Sequence, residues 1–176
     1  MIQLVYLFED IKRMVGREKL RWGIIWISRS FIGILFYRLE RAFFLIFGNY
    51  YKYIRILFLP IIVLANAYSN IDINYKANIK GGLLILHPAL GCVISGYSNI
   101  GKNLTLTGGN VIGVEKYSSN MEFFLGENCN MGANSTIIGP ITLGDNVKVG
   151  ASACVVKSYS LGNTVLAGVP AKPLLI

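Results

Sequence analysis

One spacing constrains the fold of this chain more than any other feature: aliphatic residues recur every six positions. The later run holds Leu125, Met131, Ile137, Leu143, Val149 and Val155, and Leu161 continues it; the earlier run holds Ile94, Ile100, Leu106 and Ile112. Helices repeat about every 3.6 residues and strands about every two, so neither element alone predicts this pattern. A period of six is typical of the hexapeptide repeats that build a parallel β-helix.

The repeat also accounts for polar residues between the aliphatic positions. Each six-residue unit would form one short strand and one corner, and three units would close a triangular coil with its aliphatic residues stacked inside. Asn103, Asn128, Asn134 and Asn146 each follow an aliphatic position by three residues. Asn tolerates the left-handed backbone that tight corners need. The alternative is a β-sandwich, whose strands rarely keep one short period for so long. We therefore predict a mainly β fold, a parallel β-helix.

Two interruptions of the period mark places where the chain leaves the coil. Nine residues instead of six separate Ile85 from Ile94, so an insertion is expected between them. Thirteen residues separate Ile112 from Leu125, and we predict that the segment 114–124 forms a loop outside the coil. Insertions that leave a solenoid commonly build its binding face.

The chain divides into an N-terminal helical segment, residues 1–68, and a β-helix domain, residues 69–176. Residues 1–60 carry ten Lys and Arg against four Asp and Glu, a net charge of +6 out of +8 for the whole chain. Hydrophobic residues make up 53% of the sequence, and the mean hydropathy is +0.52. This apolar content predicts a surface that other subunits or a membrane cover.

Residues 22–66 are predicted to form amphipathic helices with basic residues on one side and apolar residues on the other. The apolar positions, spaced three or four apart, are Phe31, Leu35, Leu39, Phe43 and Ile46. The longest uncharged stretch, 56–71, contains Pro60 and ends in polar residues, so it does not predict a membrane span. Packing on a sister subunit and peripheral contact with an anionic membrane both fit the pattern. Nucleic acid is disfavoured, because the basic residues are diluted among aliphatic ones.

The cysteines and the N-terminus indicate a cytoplasmic protein. Cys92, Cys129 and Cys154 are an odd number without framework spacing, and they lie within or beside the repeats, so we expect reduced, structural thiols. Glu9 and Asp10 interrupt the first apolar stretch, so no signal peptide is evident. We expect the cytoplasm, including the inner face of the cytoplasmic membrane.

The single histidine, His87, lies at the first interruption of the repeat. A lone histidine is often only a core residue with satisfied hydrogen bonds, and that alternative stays open. Asp72 stands fifteen residues earlier, which we expect to place it beside His87 on an adjacent coil. A carboxylate on one imidazole nitrogen fixes the tautomer and leaves the other nitrogen free to take a proton. This pair suits general-base chemistry on a hydroxyl.

Several segments resemble one enzyme family. Residues 72–74 (DIN), residues 79–87 (IKGGLLILH) and the ending 165–172 (VLAGVPAK) are similar to the serine acetyltransferases and their relatives. These enzymes are left-handed β-helix acyltransferases of the hexapeptide-repeat superfamily, and the resemblance covers about residues 70–173. Handedness rests on the resemblance alone, since it runs against the general right-handed crossover rule.

The resemblance implies a homotrimer, acetyl-CoA as acyl donor, a hydroxyl acceptor and no metal. By this likeness His87 matches the general base and Asp72 the carboxylate that supports it. The positions that match the pantetheine groove and the site of the CoA phosphates are Gly113, Ala133, Ala151 and Lys172. The N–H of Gly113 is also the expected donor to the oxyanion of the transition state. Direct transfer needs no acyl-enzyme, and nothing in the sequence lowers the pKa of Cys92 to make it a nucleophile.

Departures from the family shape the functional prediction. Asn74 stands where serine acetyltransferases carry a further histidine, and the segment 114–124 lacks their Arg-His pair. A short, basic helical segment before such a β-helix resembles the branch that acetylates bacterial capsule, exopolysaccharide or lipopolysaccharide sugars. We predict an acetyl-CoA-dependent O-acetyltransferase that modifies a sugar hydroxyl of a surface polysaccharide or its precursor. The alternatives are a serine O-acetyltransferase and a non-catalytic β-helix scaffold; a zinc carbonic anhydrase would need three histidines.

Overall fold

The N-terminal part of the chain is helical. A computed structural model describes residues 2–17, 20–114 and 123–174. Its helices are α1 (Ile2–Val15), α2 (Arg21–Ile24), α3 (Arg29–Phe47) and α4 (Tyr51–Ser69), with 3₁₀ turns at Ile25–Ile27 and Gly48–Tyr50. The Ser28 hydroxyl accepts from the N–H of Phe31 (3.1 Å) and so caps the start of α3. Asn70 ends α4 with a left-handed φ of 57°, and the first strand begins at Ile71.

The remainder is a parallel β-helix of short strands. The strands are β1 (Ile71–Ile73), β2 (Asn78–Ile79), β3 (Leu84–Ile85), β4 (Cys92–Ile94), β5 (Ser98–Ile100), β6 (Thr105–Leu106), β7 (Asn110–Val114), β8 (Phe123–Leu125), β9 (Asn130–Met131), β10 (Thr136–Gly139), β11 (Ile141–Leu143), β12 (Lys148–Val149), β13 (Cys154–Val155), β14 (Val165–Ala167) and β15 (Lys172–Pro173). Face A is β1-β4-β7-β10-β13, face B is β2-β5-β8-β11, and face C is β3-β6-β9-β12-β14-β15. All pairs are parallel except β14 with β15.

The strand register shows how much chain each coil uses. Val93 pairs with Val111, and Thr136 with Cys154, so a regular coil takes three hexapeptides, as the period predicts. Asp72 pairs with Val93, so the first coil is longer by half a hexapeptide, and its extra length is the 3₁₀ turn Pro88–Leu90. The coil from Val111 to Thr136 is longer by more than one hexapeptide. Residues 115–122, most of the predicted external loop, lie outside the described part of the chain.

The predicted aliphatic ladder forms the core. The positions buried to 4% exposure or less are Ile94, Ile100, Leu106, Ile112, Leu125, Met131, Ile137, Leu143, Val149 and Val155. The predicted corner asparagines have φ between 57° and 62° at Asn103, Asn128, Asn134 and Asn146, which confirms their left-handed role. Leu161 was expected to continue the ladder, and that prediction is wrong, since it is 84% exposed. The last coil is shorter, so that Tyr159 instead pairs with Leu143.

A buried ion pair attaches the helices to the first coil. The Arg38 guanidinium on α3 donates to both carboxylate oxygens of Asp10 on α1, at 2.8 and 3.2 Å. It also donates to the carbonyls of Ile79 (2.6 Å) and Lys80 (3.0 Å). Asp10 in turn accepts from the backbone N–H of Leu83 (2.7 Å). Both side chains are at most 1% exposed, so the pair is fully removed from water.

Other helix side chains complete this cap on the first coil. The Tyr37 hydroxyl donates to the carbonyl of Ala77 (2.9 Å) and accepts from the N–H of Ile79 (3.2 Å). The Ser30 hydroxyl donates to the carbonyl of Ile85 (2.7 Å), and Arg13 donates to the carbonyl of Gly82. The first coil has no preceding coil to pair with, and these side chains satisfy its backbone instead.

The helix α3 therefore turns a different face inward than the sequence predicts. Arg38, expected on a basic outer side, is 2% exposed, whereas Ile46 of the predicted apolar stripe is 72% exposed. The reason is that the open edge of the coil presents carbonyl groups, which need donors rather than aliphatic contacts. None of the described helices combines the length and the apolar content that a membrane crossing requires.

We expect Arg38→Met to lower the free energy of unfolding by about 3–5 kcal/mol, because the Asp10 carboxylate would stay buried without its partner. The matched change at an exposed position, Lys52→Met, should alter it by less than about 0.5 kcal/mol. Urea unfolding at neutral pH measures both variants.

The pH dependence of that loss identifies its cause. Burial raises the pKa of Asp10, and Arg38 opposes this rise. Without Arg38 the folded-state pKa of Asp10 moves further above the unfolded value. A carboxyl group whose pKa is higher in the folded than in the unfolded chain destabilises the fold only at pH values above its unfolded pKa. The loss in Arg38→Met should therefore be smaller in mildly acidic buffer than at neutral pH, and a loss that grows in acid would contradict this account.

Candidate active site

His87 stands at a corner of the first coil with its side chain in solvent. It follows β3 and precedes the turn Pro88–Leu90. Its backbone N–H donates to the carbonyl of Thr107 (2.9 Å), and its carbonyl accepts from the N–H of Leu90 (3.2 Å). The imidazole is exposed and has no hydrogen-bond partner in the part of the chain that the structure describes. The alternative of a core histidine with satisfied hydrogen bonds is thereby excluded.

The backbone around His87 is held from two sides. The Asn70 amide donates to the carbonyl of Ala89 (3.0 Å), which ties the inserted turn to the end of α4. From the next coil, Gly108 passes so close that an added Cβ would clash with the His87 carbonyl oxygen. Gly108 also has a φ of +135°, which disfavours any side chain. His87 is therefore an exposed side chain on a firmly held backbone.

Asp72 lies on face A, in the same coil as His87. It is exposed on β1, opposite Val93, and it borders a groove of about 220 Å³ lined also by Leu90, Gly91 and Asn110. The expectation that Asp72 and His87 occupy adjacent coils is wrong, because a regular coil takes three hexapeptides, which is more than the fifteen residues that separate them. No hydrogen bond joins the two side chains within the described ranges, so their pairing stays a prediction.

The corner between faces C and A, here called the CA corner, comprises residues 86–91, 107–109, 132–135 and 150–153. A chain of backbone hydrogen bonds links its coils. His87 donates to Thr107, Thr107 to Met131 (3.0 Å), Gly132 to Val149 (2.8 Å), and Gly150 to Leu166 (2.7 Å). Each step advances one coil along the β-helix axis. The corner therefore forms a straight track that begins at His87.

Two of the four predicted CoA-binding residues lie on this track, and a third, Lys172, lies beyond its last coil. Ala133 and Ala151 are on the CA corner in consecutive coils, where the N–H of Ser152 donates to the carbonyl of Ala133 (2.8 Å). The N–H groups of Ala133 and Ala151 themselves have no acceptor among the residues described. Lys172 pairs with Ala167 at the far end of face C and is exposed. From β3, which precedes His87, to β15, which holds Lys172, face C has five strand spacings, about 24 Å.

Gly113 does not share this corner. It lies near the end of β7, paired with Ile138 on face A, and about 10 Å along the strand from Asn110 at the corner. Its predicted roles, in the pantetheine groove and at the oxyanion, therefore require a neighbouring subunit to bring it to a site.

The cysteine nearest the site has a structural setting. Cys92 is buried in β4, and burial raises the pKa of its thiol. A protonated, buried thiol is a poor nucleophile, so the geometry does not favour an acyl-cysteine intermediate. Within the described residues, no three His, Cys, Asp or Glu side chains come together to hold a metal ion.

Sequence reasoning missed the residue that braces the CA corner. The Asn110 side chain is buried; its oxygen accepts from the N–H of Gly108 (2.8 Å), and its nitrogen donates to the carbonyl of Gly132 (2.7 Å) and to the hydroxyl of Ser135 (3.0 Å). It thereby joins the corners of two successive coils. One signal was available, since Asn110 is a polar residue at an inward position, two before the core residue Ile112.

Comparisons with known proteins agree with this architecture. Residues 124–156 match a family model described as the hexapeptide repeat of succinyl-transferase. The serine acetyltransferase of Neisseria gonorrhoeae superposes with a TM-score of 0.82 at 22% identity, over 98% of this chain and 66% of that chain. The fold is that of the serine acetyltransferases. This confirms the predicted class, a left-handed parallel β-helix with an N-terminal helical segment.

Two further structures show the same relation. The soybean serine acetyltransferase apoenzyme has a TM-score of 0.78 at 22% identity, over 98% of this chain and 69% of that one. The Brucella abortus enzyme in complex with coenzyme A has a TM-score of 0.77 at 22% identity, over 97% and 67%. No curated protein sequence matches the chain significantly. The chain spans about two thirds of the length of these enzymes, and identities this low show the shared fold alone.

Replacing Asn110 tests the brace. We expect Asn110→Ala to lower the free energy of unfolding by about 1–3 kcal/mol, because it leaves the buried N–H of Gly108 without its acceptor. Asn130→Ala, at an exposed position of face C, is the matched control and should change it by less than about 0.5 kcal/mol. Equal urea midpoints for the two variants would show that Asn110 does not brace the corner.

Proposed function

We propose that this protein is an acetyl-CoA-dependent O-acetyltransferase with His87 as its general base. The observation that carries the proposal is the CA corner track, which has a free, exposed imidazole at one end and the cation Lys172 at the other. The hexapeptide repeat and the serine acetyltransferase fold support the same chemistry. A non-catalytic scaffold would leave this imidazole and the inserted turn that holds it without a purpose.

The track suits an acyl-CoA in shape and polarity. The distance of about 24 Å from the His87 end to Lys172 is on the scale of an extended pantetheine arm with its phosphates. The unpaired N–H groups of Ala133 and Ala151 would bind the amide carbonyls of that arm, and the Lys172 ammonium would face the CoA phosphates. In this arrangement the thioester end lies at His87. The Brucella abortus neighbour is known in complex with coenzyme A, which supports this class of donor.

The chemistry is direct transfer in a ternary complex. His87 takes the proton of the acceptor hydroxyl as its oxygen attacks the thioester carbonyl carbon. Backbone N–H donors stabilise the oxyanion of the tetrahedral intermediate. The intermediate collapses with cleavage of the C–S bond, and the imidazolium returns its proton to the departing CoA thiolate. Asp72, once paired with His87, would stabilise the imidazolium.

The assembly proposed for this site is a homotrimer through face A. Outward positions of a solvated sheet are ordinarily polar. The outward column of face A continues from Asp72 into Val93 and Val111, both at least 36% exposed. The corresponding column of face C is polar at its centre, with Thr105, Asn130 and Lys148 between Leu84 and Val165. A subunit seated on face A would cover the valines and close the groove beside Asp72.

We expect the double variant Val93→Asp/Val111→Asp to dissociate the trimer, because it buries two unpaired carboxylates in the proposed contact. Light scattering should report the mass of a single chain. Phe124→Asp, at a residue of similar exposure on face B, is the matched control and should keep the mass of the wild type. A double variant that stays trimeric would place the contact elsewhere.

For the acceptor, the residues of this chain favour a sugar hydroxyl of a bacterial surface polysaccharide. Asn74 replaces the further histidine of the serine acetyltransferases, and its side-chain oxygen accepts from the N–H of Lys76 (2.9 Å), which completes a local turn. The sequence of 114–124 also lacks the Arg-His pair that the resemblance leads us to expect for amino-acid recognition. The solved neighbours favour L-serine instead, since they are serine acetyltransferases and include the gonococcal enzyme in complex with serine.

Release of free thiol from acetyl-CoA tests both acceptors. L-serine and a panel of bacterial surface glycans are offered in parallel, with mass analysis of the acetylated product. We expect acetylated glycan and no O-acetylserine; O-acetylserine alone would establish the serine acetyltransferase activity. His87→Ala should reduce turnover about 10²- to 10⁴-fold without changing the oligomer mass. Asp72→Asn should reduce it less, and near-normal turnover in His87→Ala would refute the mechanism.

A further inference from the structure

The helix α4 exposes apolar side chains around more than half of its circumference. Leu57 is 79% exposed, Leu64 70% and Ile56 64%, and Val63 and Ile61 are more than half exposed. Successive residues of a helix are rotated by about 100° around its axis. Viewed down that axis, the exposed apolar side chains form one arc of roughly 200°, with Leu59 at one edge and Ile61 at the other. Only one narrow stripe, Tyr51, Ile62, Ala65 and Ser69, is buried against the rest of the protein. Water is a poor solvent for such a helix.

The apolar surface continues beside α4 as an open cleft. The cleft has a volume of about 400 Å³ and is lined by Trp26, Ile27, Ile32, Phe36, Ile61 and Leu64, among others. It lies between α3, α4 and the 3₁₀ turn Ile25–Ile27. Both helices contribute to the lining, α3 through Ile32 and Phe36 and α4 through Ile61 and Leu64. The surface is therefore contiguous over two helices rather than a set of scattered side chains.

In the folded helical segment, two carboxylates are buried while several cations stay exposed. The carboxylates Asp10 and Glu40 are buried in ion pairs with Arg38 and Arg55. Among the described residues of the segment, the exposed charged side chains are Lys12, Arg17, Arg21, Arg29 and Lys52. All of these are cations. Two of them, Lys52 and Arg29, lie against Tyr53 and Tyr68 of α4, so the borders of its apolar face attract anions.

Aromatic residues and cations lie at both ends of the aliphatic stretch. Tyr53 is 61% exposed near the start of α4, next to Lys52, whose ammonium lies 4.7 Å from its ring centroid. Tyr68, at the other end, is 48% exposed, and the Arg29 guanidinium lies 5.9 Å from its ring centroid. Aromatic and basic residues that flank an aliphatic zone are typical of the interface of a lipid bilayer.

We propose that α4 lies in the interfacial region of an anionic lipid bilayer and attaches this protein to the membrane surface. A second protein chain covers one side of a helix, whereas an apolar arc of roughly 200° is better matched by acyl chains, which surround it. The exposed cations select anionic headgroups. Since no described helix is long and apolar enough to cross the bilayer, the contact is a peripheral one.

Sedimentation with lipid vesicles tests the proposal on the intact protein. Vesicles of phosphatidylcholine, with or without phosphatidylglycerol, are used at equal total lipid. We expect the protein to sediment with the anionic vesicles, and Leu57→Glu/Leu64→Glu to weaken partitioning at least about tenfold. Both leucines are exposed, so the substitutions should leave the fold intact. Leu161→Glu, at an equally exposed leucine of the last coil, should bind like the wild type.

A second variant separates the contribution of charge. Arg29→Gln/Lys52→Gln should reduce partitioning onto anionic vesicles by roughly fivefold per cation, with little effect on neutral ones. Absence of sedimentation, or equal binding by Leu57→Glu/Leu64→Glu, would overturn the proposal. So would a fall in oligomer mass in that variant without vesicle binding, because the face would then be a contact between copies of the chain. The experiment measures binding to lipid vesicles and not enzyme activity. His87→Ala should bind the vesicles like the wild type, so the result does not depend on the proposed acetyltransfer.

Discussion

The fold depends on how the open edge of the first coil is satisfied. Every later coil finds its backbone partners in the coil before it, but β1 to β3 have none. Side chains of α1 and α3 replace the missing coil, and the pair of Asp10 and Arg38 lies at their centre. A buried ion pair is seldom a large source of net stability, and here it gives specificity. It fixes which helix faces the coil and at which carbonyls.

That attachment also determines where the candidate site lies. The corner that carries His87 is in the capped coil, so the helical segment borders the site directly: Asn70 at the end of α4 holds the inserted turn, and Ser30 of α3 contacts the carbonyl of Ile85. From there the CA corner runs along the regular coils, whose uniform rise keeps it straight. The end proposed to be reactive is thus built by irregular structure, and the track proposed to bind CoA is built by repetition.

The period of six was enough to predict the coil, its core and the left-handed asparagine corners, because each depends on local backbone preference and on stacking of identical units. The period of six could not predict contacts between segments that are distant in the sequence. Arg38 on its own indicates a basic surface; only the position of the unpaired carbonyl groups of Ile79 and Lys80 explains why it is buried. Counting residues from Asp72 to His87 likewise misjudged their coils, since a separation of fifteen residues is shorter than a regular coil of three hexapeptides. Leu161 continues the sequence period, but the last coil is shorter, so this residue does not reach the core position.

The buried ion pairs of the helical segment have a consequence for its electrostatics. Folding withdraws Asp10 and Glu40 from solvent, together with the two arginines that neutralise them. Among the described residues of the segment, the fully exposed charges that remain are all cations, and Glu9 is half-buried. In the unfolded chain the same ions are mixed along the sequence and their fields partly cancel. Folding therefore leaves the net charge of the segment unchanged and alters which of its charges face water.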